Sequence, residues 1–498
     1  MNVNPITRLD YPDPDVIRVE DTYYMVSTTM HFMPGCEILQ SFDLVHWEHA
    51  TYVYETLDHT DAQQLKSGHN IYGQGMWAAS LRYHEGRFYI CFVANDTRKT
   101  YLYTSEKIDG PWKKQLIEGF YHDGSLLFDE DGRNYIVYGN DEIWITELNE
   151  DLTAPKKDGL HRLLVSDHKN PELGYEGSHI QKINGYYYIF LVHSLRDRWM
   201  RTEACFYSDS LEGEFTGGDV LCDDRGYCGQ GVAQGGIVDT PDGKWYAMLF
   251  QDSGAVGRIP ILLPVTWKDH FPVFGQNGHV PEEIEVHSTR PGYIYQPLVG
   301  SDDFCNGLLP RWQFNHDPDP RYYHLDALQG TYTITTREVC TELTQAVNTL
   351  TQRMSYPSCA AEVTVDASAL KEGDVAGLCA LQGCYAAVGI TKHHGKYEVL
   401  MLDKKEDGIL DMTEGTVVES HQMDFRLEAD FCNMKDEARC YYRVNKGDWL
   451  PIGTVHKLYF KLDHFTGCRF GLFCYAAEET GGSACFRDFK YYDVDEIS

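Results

Sequence analysis

Thr22-Tyr23-Tyr24-Met25-Val26 returns four more times along the chain. The copies are Arg87-Phe88-Tyr89-Ile90-Cys91, Arg133-Asn134-Tyr135-Ile136-Val137, Tyr186-Tyr187-Tyr188-Ile189-Phe190 and Lys244-Trp245-Tyr246-Ala247-Met248. Each holds a Tyr at its third place and then runs apolar, as a buried strand does. Gly86, Gly132, Gly185 and Gly243 stand just ahead of four copies, and Asp21 ahead of the first. Those glycines sit in turns such as Glu85-Gly86 and Asn184-Gly185, so each copy reads as the second strand of a hairpin. The marker tyrosines lie at 24, 89, 135, 188 and 246, spaced by 65, 46, 53 and 58 residues. A strand–turn–strand unit recurring at that period is the signature of a propeller blade, and five copies predict five blades. Ser41 to Trp47 and Ser105 to Trp112 read as later strands of blades one and two.

The register carries the argument from fold to site. Twelve residues before each marker, or eleven in the first blade, stand Asp13, Trp77, Asp123, Glu176 and Gln234. The first strand of each blade lines the central channel, so equivalent starts meet around the axis. Three carboxylates, one indole and one amide are therefore expected at one mouth.

The repeat fades after Val265-Thr266-Trp267. A connector rich in proline and glycine follows over 268–300. From Ser301 the strands alternate again, as in Cys359 to Val365, Lys396 to Leu402 and Arg469 to Tyr475. Their spacing predicts a two-sheet sandwich. The expected organisation is all-β: a five-bladed propeller over 1–298 and a jelly-roll-type β-sandwich over 299–498.

Composition narrows the function classes. The 498 residues carry 43 Lys and Arg against 75 Asp and Glu, a net charge of −32. Such a chain is repelled by nucleic acid and by anionic membranes, and neither is expected as a partner. The 34 Tyr, 22 Phe and 9 Trp suit strand surfaces and sugar-binding clefts. The 15 cysteines show no C-x-x-C spacing, and no signal-like leader opens the sequence. Reduced thiols in a cytoplasmic protein are the expectation. No G-x-S-x-G, H-E-x-x-H or P-loop is present, which removes support for serine hydrolase, zincin and nucleotide readings.

Two facing carboxyl groups can hydrolyse a glycosidic bond. One protonates the leaving oxygen, and the other attacks or activates water. A third raises the acid's pKa by like-charge repulsion. Asp13, Asp123 and Glu176 have the right number and type, and rings beside them can stack on sugars.

The chain resembles glycoside hydrolase family 43 along nearly its whole length. The resemblance lies in Tyr11-Pro12-Asp13-Pro14-Asp15, Met76-Trp77-Ala78, His122-Asp123-Gly124-Ser125-Leu126, Tyr175-Glu176-Gly177-Ser178-His179 and Gly257-Arg258. Leu309 to His316, Asn348 to Arg353 and Gly373 to Leu378 resemble the concanavalin-like sandwich that follows the propeller in that family. The resemblance implies an inverting exo-glycosidase releasing terminal β-D-xylose or α-L-arabinofuranose from xylo- and arabino-oligosaccharides. It implies Asp13 as general base, Glu176 as general acid and Asp123 as the residue that tunes and orients Glu176. Arg258 would hydrogen-bond the terminal pentose, and Phe32 would form an apolar subsite wall where relatives often carry Trp. Gln234 replaces a His that many relatives hold near the axis, and one amide is a weak metal ligand. No cofactor is expected to be required. Asp302 and Asp303 with Asp488 are candidates for a structural calcium site. Rival readings are a carbohydrate-binding propeller without catalysis, an arabinan-directed hydrolase and a fructan-cleaving enzyme. The last lacks its W-M-N-D-P-N, R-D-P and E-C motifs here. Assembly into a homo-oligomer stays open.

Overall fold

The computed structural model describes residues 2–413 and 415–493. Five four-stranded antiparallel sheets follow one another along the chain. Their first strands are Asp15–Val19, Met76–His84, Ser125–Phe128, Glu176–Ile183 and Val232–Asp239. Each pairs with a strand carrying one of the marker tyrosines, so the five-bladed expectation holds. The hairpins at Glu85-Gly86 and Asn184-Gly185 have positive φ at both turn residues, which fits the twist of paired strands.

Ser41 to Trp47 and Ser105 to Trp112 differ from their reading as strands. Gly35–Ser41 and Lys99–Ser105 are third strands that stop there. Ser41 Oγ accepts the N–H of Leu44 at 2.8 Å, and Asp43 Oδ1 accepts that of His46 at 2.8 Å. Such side-chain bonds to nearby backbone build a turn in place of a ladder.

Every blade is built from consecutive sequence, so the ring closes without covalent help. Blade 1 packs on blade 5 through Tyr11, Val16 and Tyr23 against Val238, Tyr246 and Met248. Asn2–Val3 pairs with Glu283–Ile284 just beyond blade 5. The buried Asn4 amide donates to the Leu262 and Pro281 carbonyls and accepts the Leu262 N–H.

The second domain is a sandwich of a nine-stranded and a seven-stranded sheet around Trp312, Phe425, Phe470 and Phe486. One strand of the larger sheet comes from the propeller. Phe32–Met33, in a blade 1 loop, pairs with Gln313–Asn315. Beside this seam Arg353 Nη1 lies 2.8 Å from Glu37 Oε2, with both side chains at most 4% exposed. Burial acts against the Glu37 charge, but Arg353 and His49 outweigh it and hold the carboxyl down at about 2.

Removing one partner of a buried pair strands the other, at a cost of about 3–5 kcal/mol. Arg353→Met is therefore expected to lower the urea midpoint strongly, and Glu37→Gln with Arg353→Met to recover part of the loss. The Glu37 value lies below its ordinary 4.5. Its stabilisation is complete above pH 4.5 and fades as pH falls toward 2. Glu37→Gln should flatten the stability profile across that window.

Candidate active site

All five axial residues line one cavity of about 610 Å³. Two devices turn them inward. Asp13, Asp123 and Gln234 hold left-handed backbone, with φ of 52°, 48° and 65°. The pairing of the first strands slips just past Trp77 and Glu176 and at Gln234 itself, as a β-bulge does. Strained backbone of this kind clusters at working sites.

Asp13 is buried and bonded at both oxygens. Oδ2 accepts the Thr28 hydroxyl at 2.7 Å, and Oδ1 accepts Arg258 Nη1 at 2.9 Å. Thr28 in turn accepts the Ala78 N–H at 2.9 Å, which fixes Asp13 against blade 2. Arg258 is 2% exposed, and its guanidinium lies 4.3 Å from the Phe465 ring centroid.

Asp123 Oδ2 accepts the Gly177 N–H at 3.0 Å and so grips the backbone next to Glu176. Burial raises the Asp123 pKa; Glu176 and Asp13 add to the rise, and His122 with the Gly177 N–H opposes it. The result is about 6. Glu176 has the most open of the three carboxyls, at 19% side-chain exposure, and its Oε2 accepts Asn140 Nδ2 at 2.8 Å. Gly177 has φ of 66°, and a Cβ there would stand 2.7 Å from Gln234 Cγ. Only glycine fits between Glu176 and the fifth-blade amide. Gln234 itself donates its N–H to the buried Glu203, whose pKa burial pushes well above the carboxylate range.

His122 Nε2 lies 3.5 Å from Asp123 Oδ2 and 3.7 Å from Glu176 Oε2. Those distances are long for hydrogen bonds but short for charge. Burial works against an imidazolium here. Asp123, Glu176 and Asp13 overcome it and push the ring up to about 9. Sequence reading passed over His122, although it adjoins Asp123, and gave no signal for Asn140.

The sandwich supplies Met434, Phe460, Lys461, Leu462 and Phe465 to the cavity wall. The 460–465 loop is held by Tyr72, stacked 4.0 Å from His464, while Met434 comes from the separate turn Cys432–Met434. Gly73, with φ of 65°, allows the Leu462 carbonyl to press where a Cβ would be. Phe465 approaches Trp77 with ring centroids 5.4 Å apart.

Phe32 is a correction. It does not line the cavity. It is buried at the domain seam under the Arg469 guanidinium, 3.5 Å from the ring centroid, among Leu343, Tyr385 and Phe473. Its backbone joins the sandwich sheet, which draws the ring away from the axis; Phe465 takes the aromatic wall. Asp303 and Asp488 line a separate surface cleft with Asp302. Asp302 spends its oxygens on Phe304 N and Trp312 Nε1, and Asp303 accepts Cys305 N. Among the described residues, the one group bringing three ligand atoms within 4.8 Å of one another is His122, Asp123 and Glu176, not this trio.

Residues 3–272 match the model of glycosyl hydrolases family 43, and residues 301–492 that of the β-xylosidase C-terminal concanavalin A-like domain. A β-xylosidase of Formosa agariphila is 26% identical, covering 99% of this chain and 89% of its own. A non-reducing-end α-L-arabinofuranosidase of Bacteroides ovatus is 26% identical over 66% of this chain and 63% of its own. Among solved structures, a bifunctional GH43-CE protein of Bacteroides eggerthii is 42% identical with a TM-score of 0.93. It covers all of this chain, which spans 64% of that protein.

The His122 value lies above its ordinary 6.5. The stability it brings is complete below pH 6.5 and fades as pH climbs toward 9. His122→Gln should unfold with a flatter pH profile between those limits, measured in urea.

Proposed function

We propose that this chain, which belongs to glycosyl hydrolase family 43, releases terminal pentose from the non-reducing ends of xylo- and arabino-oligosaccharides with inversion. The observation that carries the reading is the difference between two carboxyls in one cavity. Asp13 is buried and receives Arg258 and Thr28. Glu176 is the more open and stands beside His122 and Asn140. The first suits a fixed base that takes a proton from water. The second suits an acid that reaches a leaving oxygen.

Water attacks the anomeric carbon as its proton passes to Asp13. The glycosidic bond breaks as Glu176 gives its proton to the departing oxygen. One water is consumed, and the released pentose carries the opposite anomeric configuration. Asp123 acts through Gly177 and through its charge. Buried Arg258 at the floor and walls from both domains favour a chain end over a chain interior. Relatives named for β-xylosidase and for α-L-arabinofuranosidase support both pentoses. Retention of all three carboxylates weighs against a propeller that only binds sugar. The 15 unpaired cysteines support a reducing cytoplasm.

Nitrophenyl β-xyloside and α-arabinofuranoside, with the matching oligosaccharides, test the substrate class. Asp13→Asn should lose roughly 10²- to 10⁴-fold or more on every substrate. Glu176→Gln should lose about 10²-fold more on oligosaccharides than on nitrophenyl pentosides, because nitrophenolate leaves without a proton. Proton NMR of the wild-type reaction should show the inverted anomer first. Early release of the retained anomer would rule out the single displacement.

A further inference from the structure

Trp199 is 44% exposed, although it lines the same cavity as Asp13 and Glu176. It stands on the turn between Tyr186–Ser194 and Arg201–Ser208, the second and third strands of blade 4. Glu176 begins the first strand of that blade. Strand direction places this turn at the same end of the sheet as Glu176.

The turn is braced from several sides. Leu195 N–H donates to the Met200 carbonyl at 3.1 Å, and Met200 N–H to Ser194 Oγ at 2.8 Å. Ser194 N–H donates to the carbonyl of Leu173, itself a cavity residue three places before Glu176. Arg196 pairs with the buried Asp167. The Arg201 guanidinium lies over the Trp199 ring, 5.3 Å from its centroid. Arg201 Nε is fixed 2.9 Å from Asp252 Oδ2, and the two side chains are only 9% and 14% exposed. A rigid cation thus holds one side of the indole while much of the ring stays open. From the sandwich, Leu462 lines the same cavity at 70% exposure.

An indole fixed in place and open to a cavity is poised to stack on a ring. Which ring follows from the chemistry. The general acid must lie on the leaving-group side of the glycosidic bond, opposite the water and its base. Glu176 and Trp199 share a blade, whereas Arg258 stays with Asp13. The cavity, at about 610 Å³, is also of a size that takes a drug-sized molecule rather than one pentose.

We propose that Trp199 is the stacking platform for the sugar ring on the leaving-group side of the scissile bond. This rests on the pentosidase reading and adds to it a residue that selects for oligosaccharides. The platform binds the face of the penultimate sugar, and the Arg201–Asp252 pair keeps it in place.

The test compares kcat/KM on the disaccharide or trisaccharide with kcat/KM on the methyl pentoside. Methanol needs the same proton from Glu176 but carries no ring, so the ratio isolates stacking. Trp199→Ala is expected to lose about tenfold or more on the oligosaccharide relative to the methyl pentoside. Trp199→Phe, which keeps a ring, is expected to recover most of that ratio. Circular dichroism and thermal melting confirm that both variants fold. Equal losses on the two substrates, or no loss on either, overturn the platform while leaving the pentosidase reading intact. A wild-type enzyme that cleaves neither substrate overturns both.

Discussion

The Arg258 guanidinium, 2% exposed, gives Nη1 to Asp13 and lies under the Phe465 ring, while its backbone N–H donates to Asp10 Oδ1. A buried cation is tolerable only when paired, so its presence requires the Asp13 carboxylate beside it. Asp10 Oδ2 also accepts the Gly467 N–H, two residues beyond Phe465. Asp13, the start of the third strand of blade 5 and the sandwich loop are thus tied at one point. Neither domain can shift without moving the groups that hold Asp13. The sandwich sheet borrows Phe32–Met33 and buries the Glu37–Arg353 pair for the same structural result.

Three carboxyls around one axis repel one another, and the chain as a whole carries −32. Arg258 and His122 relieve the crowding at short range. Arg258 serves Asp13, and His122 serves Asp123 and Glu176. Their chemistry differs in a useful way. A guanidinium stays charged across the working range, whereas an imidazole pushed to about 9 gives up its proton at the alkaline end. The Asp13 side is fixed, and the Glu176 side answers to pH.

The blades and the axial register were legible because both are local facts repeated five times. A strand keeps a period of two, a hairpin keeps its turn residues, and equivalent strand starts must meet when a ring closes. That is how Asp13, Trp77, Asp123, Glu176 and Gln234 could be read to one cavity. Phe32 shows the limit of the method. The family resemblance implied a subsite wall there, but its backbone found an unpaired edge at Gln313–Asn315 and carried the ring into the seam. Phe460, Leu462 and Phe465 carried no signal, because their role depends on how one domain docks on another more than 440 residues from Asp13. His122 lay within a quoted motif, yet its charge state follows only from three carboxylates that the fold assembles.

Division of labour between the domains follows from dielectric as much as from shape. The propeller alone would present its acids at the open end of a channel, where water weakens every charge interaction. Phe460, Phe465 and Met434 from the sandwich replace part of that water with apolar surface. Burial is the largest influence on both His122 and Asp123; the three carboxylates oppose it at His122, whereas at Asp123 His122 opposes it and Glu176 and Asp13 add to it. The sandwich side of the cavity is apolar except for Lys461. It sets the medium in which Asp13, Asp123 and Glu176 act on one another, and this is why the seam is built from a shared sheet and a buried ion pair in place of a flexible tether.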